Sequence, residues 1–187
     1  MMNRIINNDI FLTDLDELFQ GDKFDVLYSD PPWGASNLKY WRTMNEQDKV
    51  DDWFCFLERI KFLYERHGKA NAPLYLETGV RFVKDLEKVF GIPKHIFNVV
   101  YTSKKLPNIL MIWNDSPSVD LTGKTRLDLV VSALQHIEKG SLIFDPCVGL
   151  GTTAKACKRL GFSLYANELN KKRMDRTASI LPFEVIE

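Results

Sequence analysis

The tetrapeptide Asp30-Pro31-Pro32-Trp33 closes a strand-like run, Phe24-Asp25-Val26-Leu27-Tyr28-Ser29. An aspartate at the end of a buried strand accepts a hydrogen bond from an exocyclic amine. The Pro-Pro pair fixes the backbone that follows and exposes a carbonyl as a second acceptor, and the tryptophan offers a stacking face. These parts suit a flat, amine-bearing heterocycle that has left its helix. A second cluster, Asp145-Pro146-Cys147-Val148-Gly149-Leu150-Gly151-Thr152-Thr153, follows the apolar run Leu142-Ile143-Phe144 and opens into the helix-like segment Ala154 to Leu160. In a strand, glycine turn and helix of this kind, Gly149 and Gly151 let the backbone approach a ligand, and the helix start turns free N–H groups toward an anion. The next strand, Phe162 to Asn167, ends in Glu168, where a carboxylate can take both hydroxyls of a ribose. The two clusters together imply a nucleotide-like cofactor beside a captured base.

Each piece alone has a plainer use. Asp-Pro-Pro also makes an ordinary turn. The glycine turn lacks the third glycine of the dinucleotide fingerprint and the Gly-Lys-Ser/Thr ending of a phosphate loop, so by itself it could serve another nucleotide or simple close packing. The combination of both motifs with a strand-terminal glutamate in one chain is what carries the reading.

On these residues the sequence resembles the amino-methyltransferases that act on adenine N6 or cytosine N4 in DNA with S-adenosylmethionine. Asp30-Pro31-Pro32-Trp33 precedes the Asp145 loop, which is similar to the circularly permuted, β-type branch of that family. The resemblance implies an α/β fold: one Rossmann-like methyltransferase domain over residues 1–187, with a mostly parallel seven-stranded sheet, an antiparallel strand and helices on both faces. It implies a catalytic role for Asp30, Pro31, Pro32 and Trp33. It implies cofactor contacts from Asp9, Ile10, Asp30, Lys124, Asp145, Cys147, Gly149, Gly151, Thr152, Glu168 and Leu169, with Asp9 as acceptor for the cofactor's adenine amine and Leu169 packed on that ring. Asp9, after a polar pair, could equally be a turn or helix N-cap residue. Lys124 stands where relatives carry a Thr-Gln-Lys-Pro-like stretch, but the proline is missing, and a solvated turn ahead of the helix at Leu127 to Leu134 is the other reading.

The resemblance also implies the target. Aspartate at the first motif position goes more often with adenine and serine with cytosine, so adenine N6 in double-stranded DNA is expected, the base flipped. Cytosine N4, adenosine in RNA and a non-catalytic nucleic-acid-binding partner subunit are the alternatives. Only about ten residues of loop follow Trp113 before Lys124. That leaves no room for a sizeable target-recognition domain, and the sequence context should be weak or short. Small enzymes of this branch are often dimers, so a homodimer or a second subunit is expected.

The elements that must position these residues alternate between strand and helix, the pattern of a sheet covered on both faces. A short helix spans Asp16 to Phe19. Asp51 to Arg66 is amphipathic through Trp53, Phe56, Leu57, Ile60, Leu63 and Tyr64, with Phe54 and Phe62 on its flank. Strands are predicted at Ile5 to Ile10, Leu74 to Thr78, Ile96 to Tyr101 and Asn108 to Asn114, the last two as an antiparallel pair, and a helix at Val80 to Phe90. The segments Gly34 to Arg42 and Tyr101 to Pro107 mix bases, hydroxyls and aromatics. They could touch phosphates or wedge a duplex, or be solvated loops.

Composition limits the alternatives. The 187 residues are 45% apolar, enough for one α/β core. Apolar stretches are only strand-length and the start of the chain lacks a signal-like apolar core, so no membrane contact and a cytoplasmic setting, in a bacterium or a phage-infected cell, are expected. Cys55, Cys147 and Cys157 lack metal or disulfide spacing, and His67, His95 and His136 are scattered, so no metal site is expected. The 25 basic and 25 acidic residues cancel, so the strong electrostatic footprint of tight nucleic-acid binders is absent and local clusters must supply it.

Overall fold

In a computed structural model, described for residues 2–47, 52–101 and 107–186, strands and helices alternate along the chain. The strands are β1 (Asn3–Ile6), β2 (Val26–Ser29), β3 (Leu74–Gly79), β4 (His95–Val100), β5 (Pro107–Trp113), β6 (Leu142–Asp145), β7 (Ser163–Asn167) and β8 (Phe183–Ile186). The helices are α1 (Asp16–Phe19), α2 (Gly34–Met44), α3 (Trp53–His67), α4 (Val83–Phe90), α5 (Arg126–Leu134), α6 (Thr152–Leu160) and α7 (Lys171–Ala178). A single 3₁₀ turn, Val80–Phe82, joins β3 to α4.

The strands form one sheet in the order β4-β5-β3-β2-β6-β7-β1-β8. Only β5 runs against its neighbours, β3 and β4; the other pairings are parallel. Every residue of β2, β3 and β7 is buried, as expected of parallel strands covered on both faces. One face packs Val26, Tyr28 and Ile143 against Leu129, Val130 and Leu134 of α5 and Ala154 and Ala156 of α6. The other packs Leu27, Leu74 and Phe144 against Phe19 of α1, Leu57, Ile60 and Leu63 of α3 and Leu86 of α4. Each such aliphatic side chain contributes about 1.5–3 kcal/mol by leaving water.

The amphipathic stripe predicted for α3 is its buried face, joined by His67 in place of Tyr64, which is only partly buried. Asp52 caps its start by accepting from the N–H groups of Phe54 and Cys55, and Asp51 lies outside the described residues. Three expectations need correction. The sheet has eight strands rather than seven, because Phe183–Ile186 adds at the edge beside β1. The first strand ends at Ile6 instead of Ile10: Asn7 turns its amide to the carbonyls of Glu168 and Leu169, and Asp9 accepts from Phe11 N–H in a turn. The segment from Gly34 is helix α2, not a loop. In the other loop, residues 102–106 lie outside the described residues.

Candidate active site

At the centre of the sheet β2 and β6 lie side by side, and the order then runs outward in opposite directions, to β3 and to β7. Such a reversal leaves a crevice beyond the carboxyl ends of the two strands. Here the crevice is a cavity of about 1120 Å³. That exceeds the roughly 300–1,000 Å³ of ordinary small-ligand pockets, so two ligands can sit side by side. One end is lined by Asp9, Ile10, Asp145, Cys147, Gly149, Thr152, Glu168 and Leu169. The other is lined by Asp30, Pro31, Pro32, Trp33, Glu77, Arg81 and Tyr101. Residues 30–33 and 145–150 with Thr152, more than a hundred positions apart in sequence, therefore share one cavity.

The join between the two ends is a set of hydrogen bonds at Asp145. Its Oδ1 accepts from Ser29 Oγ at 2.8 Å and from Cys147 N–H at 3.0 Å, and its Oδ2 accepts from Thr153 Oγ at 2.7 Å. Burial pushes this carboxyl up to about 6; the three donors hold it down and the neighbouring Glu168 adds to the rise. Glu168 accepts from Gly149 N–H on Oε2 and from Asn170 N–H on Oε1, each at 2.8 Å. Its carboxyl is also raised, by burial first, and is restrained by those donors and by Arg173. Each of its oxygens keeps acceptor capacity for a hydroxyl. Burial drives the Cys147 thiol well above its usual range, which leaves it protonated and poorly nucleophilic.

The two loop glycines differ in what they do. Gly149 has φ +56°, and a Cβ there would make only ordinary contact with the Cys147 carbonyl, 3.8 Å away, so its backbone stays accessible. Gly151 has φ +80°, and a Cβ there would collide with Ile180 Cδ1 and crowd Thr177. It does not line the cavity: this glycine serves packing against α7 instead of ligand approach. α6 then starts at Thr152 with no side-chain cap. Asp9 faces the cavity while paired with Arg42 of α2 at 2.7 Å, both side chains about 95% buried. Lys124 does not line the cavity; its ammonium lies 3.5 Å from Asp128, one turn along α5, and Arg126 is the cation of that region lining the cavity.

At the other end, Trp33 donates its indole N–H to Asp30 Oδ1 at 2.9 Å and meets the Tyr101 ring edge-on at 5.1 Å. Asp30 opens onto the cavity but is ringed by protein. That crowding pushes its carboxyl up to about 7, opposed by the Trp33 bond and reinforced by Asp145. Asp30 is open to solvent through the cavity, and that water softens the push. Behind Asp30 sits Glu77, whose Oε1 accepts from Tyr28 Oη at 2.9 Å and whose Oε2 accepts from Asn108 Nδ2 at 2.8 Å. Sequence reasoning missed Glu77, although an acid near the end of the apolar run Leu74-Tyr75-Leu76 was its signal. It also missed the bridge over the cavity between α2 and α7, where Arg173 lies 3.8 Å from the Trp41 ring centre and Asn170 donates to Asn45 at 2.6 Å.

No protein-family model matches the sequence, and no curated protein does either. Solved structures match over nearly the whole chain. The M1.HpyAVI–SAM complex superposes with a TM-score of 0.73 at 17% identity, over 96% of this chain and 98% of that one. PvuII DNA methyltransferase, cytosine-N4-specific, gives 0.60 at 11% identity over 100% and 96%. The fold is that of the DNA methyltransferases. TTHA0409 of Thermus thermophilus, solved with S-adenosyl-L-methionine, has the same fold, with a TM-score of 0.64 at 15% identity over 100% and 98%. Among the described residues no helix is long and apolar enough to cross a membrane, and no group of three acidic, histidine or cysteine side chains is arranged to hold a metal.

Proposed function

We propose that this chain transfers a methyl group from S-adenosylmethionine to the exocyclic amine of a base flipped out of double-stranded DNA, with adenine N6 as the target. The observation that carries the reading is the shared cavity: Asp30 and Trp33 line one end, Gly149 and Glu168 the other. The likeness to solved methyltransferases, two of them bound to the same cofactor, supports it. The order of the motifs, Asp30 ahead of Asp145, supports the circularly permuted β-type arrangement.

The residues present fit such a cofactor. Glu168 has acceptor capacity for ribose hydroxyls, Gly149 offers open backbone, and the uncapped start of α6 at Thr152 suits a carboxylate. Ile10 and Leu169 would flank the adenine ring. Asp9 would meet its amine from within the Arg42 ion pair, and Asp145 and Cys147 would form the floor. Bound there, S-adenosylmethionine supplies a methyl group already activated on a sulfonium.

The chain's own task is to seat the base, align its nitrogen and manage a proton. Asp30 and the Pro31 carbonyl accept the two amine hydrogens, which draws the nitrogen lone pair out of the ring. Trp33 holds Asp30 through its indole N–H and offers ring surface to the base, stacking of this kind being worth about 1–3 kcal/mol. Asp30 then takes the proton that the methylated amine sheds. The high thiol pKa of Cys147 argues against a covalent enzyme intermediate. Little chain between Trp113 and Arg126 supports a short or weak sequence context, with a second copy of the chain completing the grip on DNA.

Cytosine N4 is the second reading, favoured by the likeness to the cytosine-N4-specific PvuII enzyme. Mass spectrometry of nucleosides from DNA incubated with the protein and cofactor decides between them. N6-methyladenine is expected, N4-methylcytosine would move the assignment, and methylation confined to an RNA control would replace DNA as the substrate. Unmodified nucleic acid together with no calorimetric heat of cofactor binding would overturn the enzyme reading.

A further inference from the structure

Resting on the proposed base site, one buried acid has no part in the chemistry above. Glu77 lines the same cavity as Asp30 and is only 7% exposed. The parallel register sets Ser29 against Leu76, so the residues that follow, Asp30 just past the end of β2 and Glu77 within β3, stand side by side. Tyr28 from β2 and Asn108 from β5 hold its two oxygens. Both partners donate from the protein side, so whatever the carboxyl offers to the cavity is set by its own protonation.

The surroundings decide that protonation. The acids facing Glu77 are Asp30 and Asp145, and the phenols Tyr28 and Tyr101 lie close to it. Burial first, then the Asp30 charge, raise its carboxyl well above the ordinary range, while the bonds from Tyr28 and Asn108 pull the other way and are outweighed. Of two neighbouring carboxyls, the one buried among protein atoms holds its proton more tightly than the one open to water. Asp30, which opens to the cavity, ionises first; Glu77 keeps its hydrogen.

We infer that Glu77 is a specificity-determining residue of the base pocket, donating its carboxylic hydrogen to the unprotonated ring nitrogen that neighbours the exocyclic amine. The pocket then presents an acceptor, Asp30, beside a donor, Glu77. This is the complement of the edge that adenine offers through N6–H and N1, and cytosine through N4–H and N3. Guanine and thymine offer the reverse, a carbonyl oxygen beside a ring N–H, and would set donor against donor and acceptor against acceptor. A site built on buried polar groups rejects such partners strongly, because the groups are left unpaired.

The test compares kcat/KM for a duplex that the protein methylates, carrying adenine or 1-deazaadenine at the target, in wild type, Glu77→Gln and Glu77→Leu. If cytosine is the target, 3-deazacytosine takes the place of the adenine analogue. Replacing the ring nitrogen by C–H should cost the wild type about 10–100-fold. Glu77→Leu should lose a similar factor on adenine and nothing further on the analogue. Glu77→Gln, whose amide N–H can donate from the same position, should recover most of that loss and restore the penalty on the analogue. An equal analogue penalty in wild type and Glu77→Leu, or a folded, cofactor-binding Glu77→Gln as poor as Glu77→Leu, would overturn the inference. Should Glu77→Leu fail to fold, wild type against Glu77→Gln on the two substrates still decides, since a carboxylate-only role predicts no analogue penalty in either. A wild type that methylates no DNA defeats the proposed function itself, a separate outcome.

Discussion

Asp30 concentrates the physics of the site in one carboxyl group. Only its ionised form can take the proton that the methylated amine sheds, and its pKa is pushed up to about 7, chiefly by crowding. Methyl transfer should therefore rise with pH through about 7 and level off above, read as kcat/KM against pH. Asp30→Asn should flatten that profile and lower the rate by about 10²–10⁴-fold with cofactor binding largely retained, since the change lies at the proposed base site. A steep profile that survives in Asp30→Asn would assign the titration to another group. Asp30 and Trp33 were legible from the sequence because their chemistry is written in adjacent residues. Glu77 was not, because its meaning depends on Tyr28 and Asn108, which only the sheet register brings to it.

Among the elements, the glycine turn and α6 were readable because glycine and threonine punctuate a strand-to-helix turn openly. α2 was not. Its exposed face mixes Ser36, Asn37, Lys39 and Thr43 with Tyr40 and Met44, and it is tied down by Leu38 and by Arg42, whose buried pairing with Asp9 no helical pattern announces. Removing Arg42 leaves Asp9 a buried carboxylate without this cation, so Arg42→Met should destabilise the fold by about 3–5 kcal/mol in denaturant unfolding. A loss below about 1 kcal/mol would mean that α2 is held otherwise. The two glycines of the loop should separate in the same measurement. Gly149→Ala bears only the cost of a left-handed backbone, about 1–2 kcal/mol, whereas Gly151→Ala adds the clash with Ile180 and Thr177, about 1–3 kcal/mol more. Equal losses would show that α7 yields freely. β8 escaped notice because a four-residue edge strand with one neighbour carries little periodic signal.

For the molecule as a whole, the acids of the cavity set the response to pH. Asp30, Asp145, Glu77 and Glu168 all have carboxyls raised on folding, so the folded chain binds more protons than the unfolded one above the ordinary carboxylate range. Their contribution to stability is complete below about 4 and is lost as pH rises through about 6 for Asp145 and about 7 for Asp30. Asp115, held low by Tyr75, Ser116 and His136 against its burial, acts oppositely and loses its contribution as pH falls below the ordinary range. The melting temperature should therefore peak in mildly acidic solution and decline toward neutrality, and a curve still rising from pH 5 to 8 would contradict the assignment of raised carboxyls. The place of β1 has a consequence for synthesis. This early strand pairs only with β7 and β8, and Ile6 accepts from the N–H of Glu168. A chain leaving the ribosome cannot seat residues 3–6 until β7 and β8 have emerged, so the wall of the cavity beside Glu168 forms only after them, and termination before β7 leaves β1 with no neighbour to receive it.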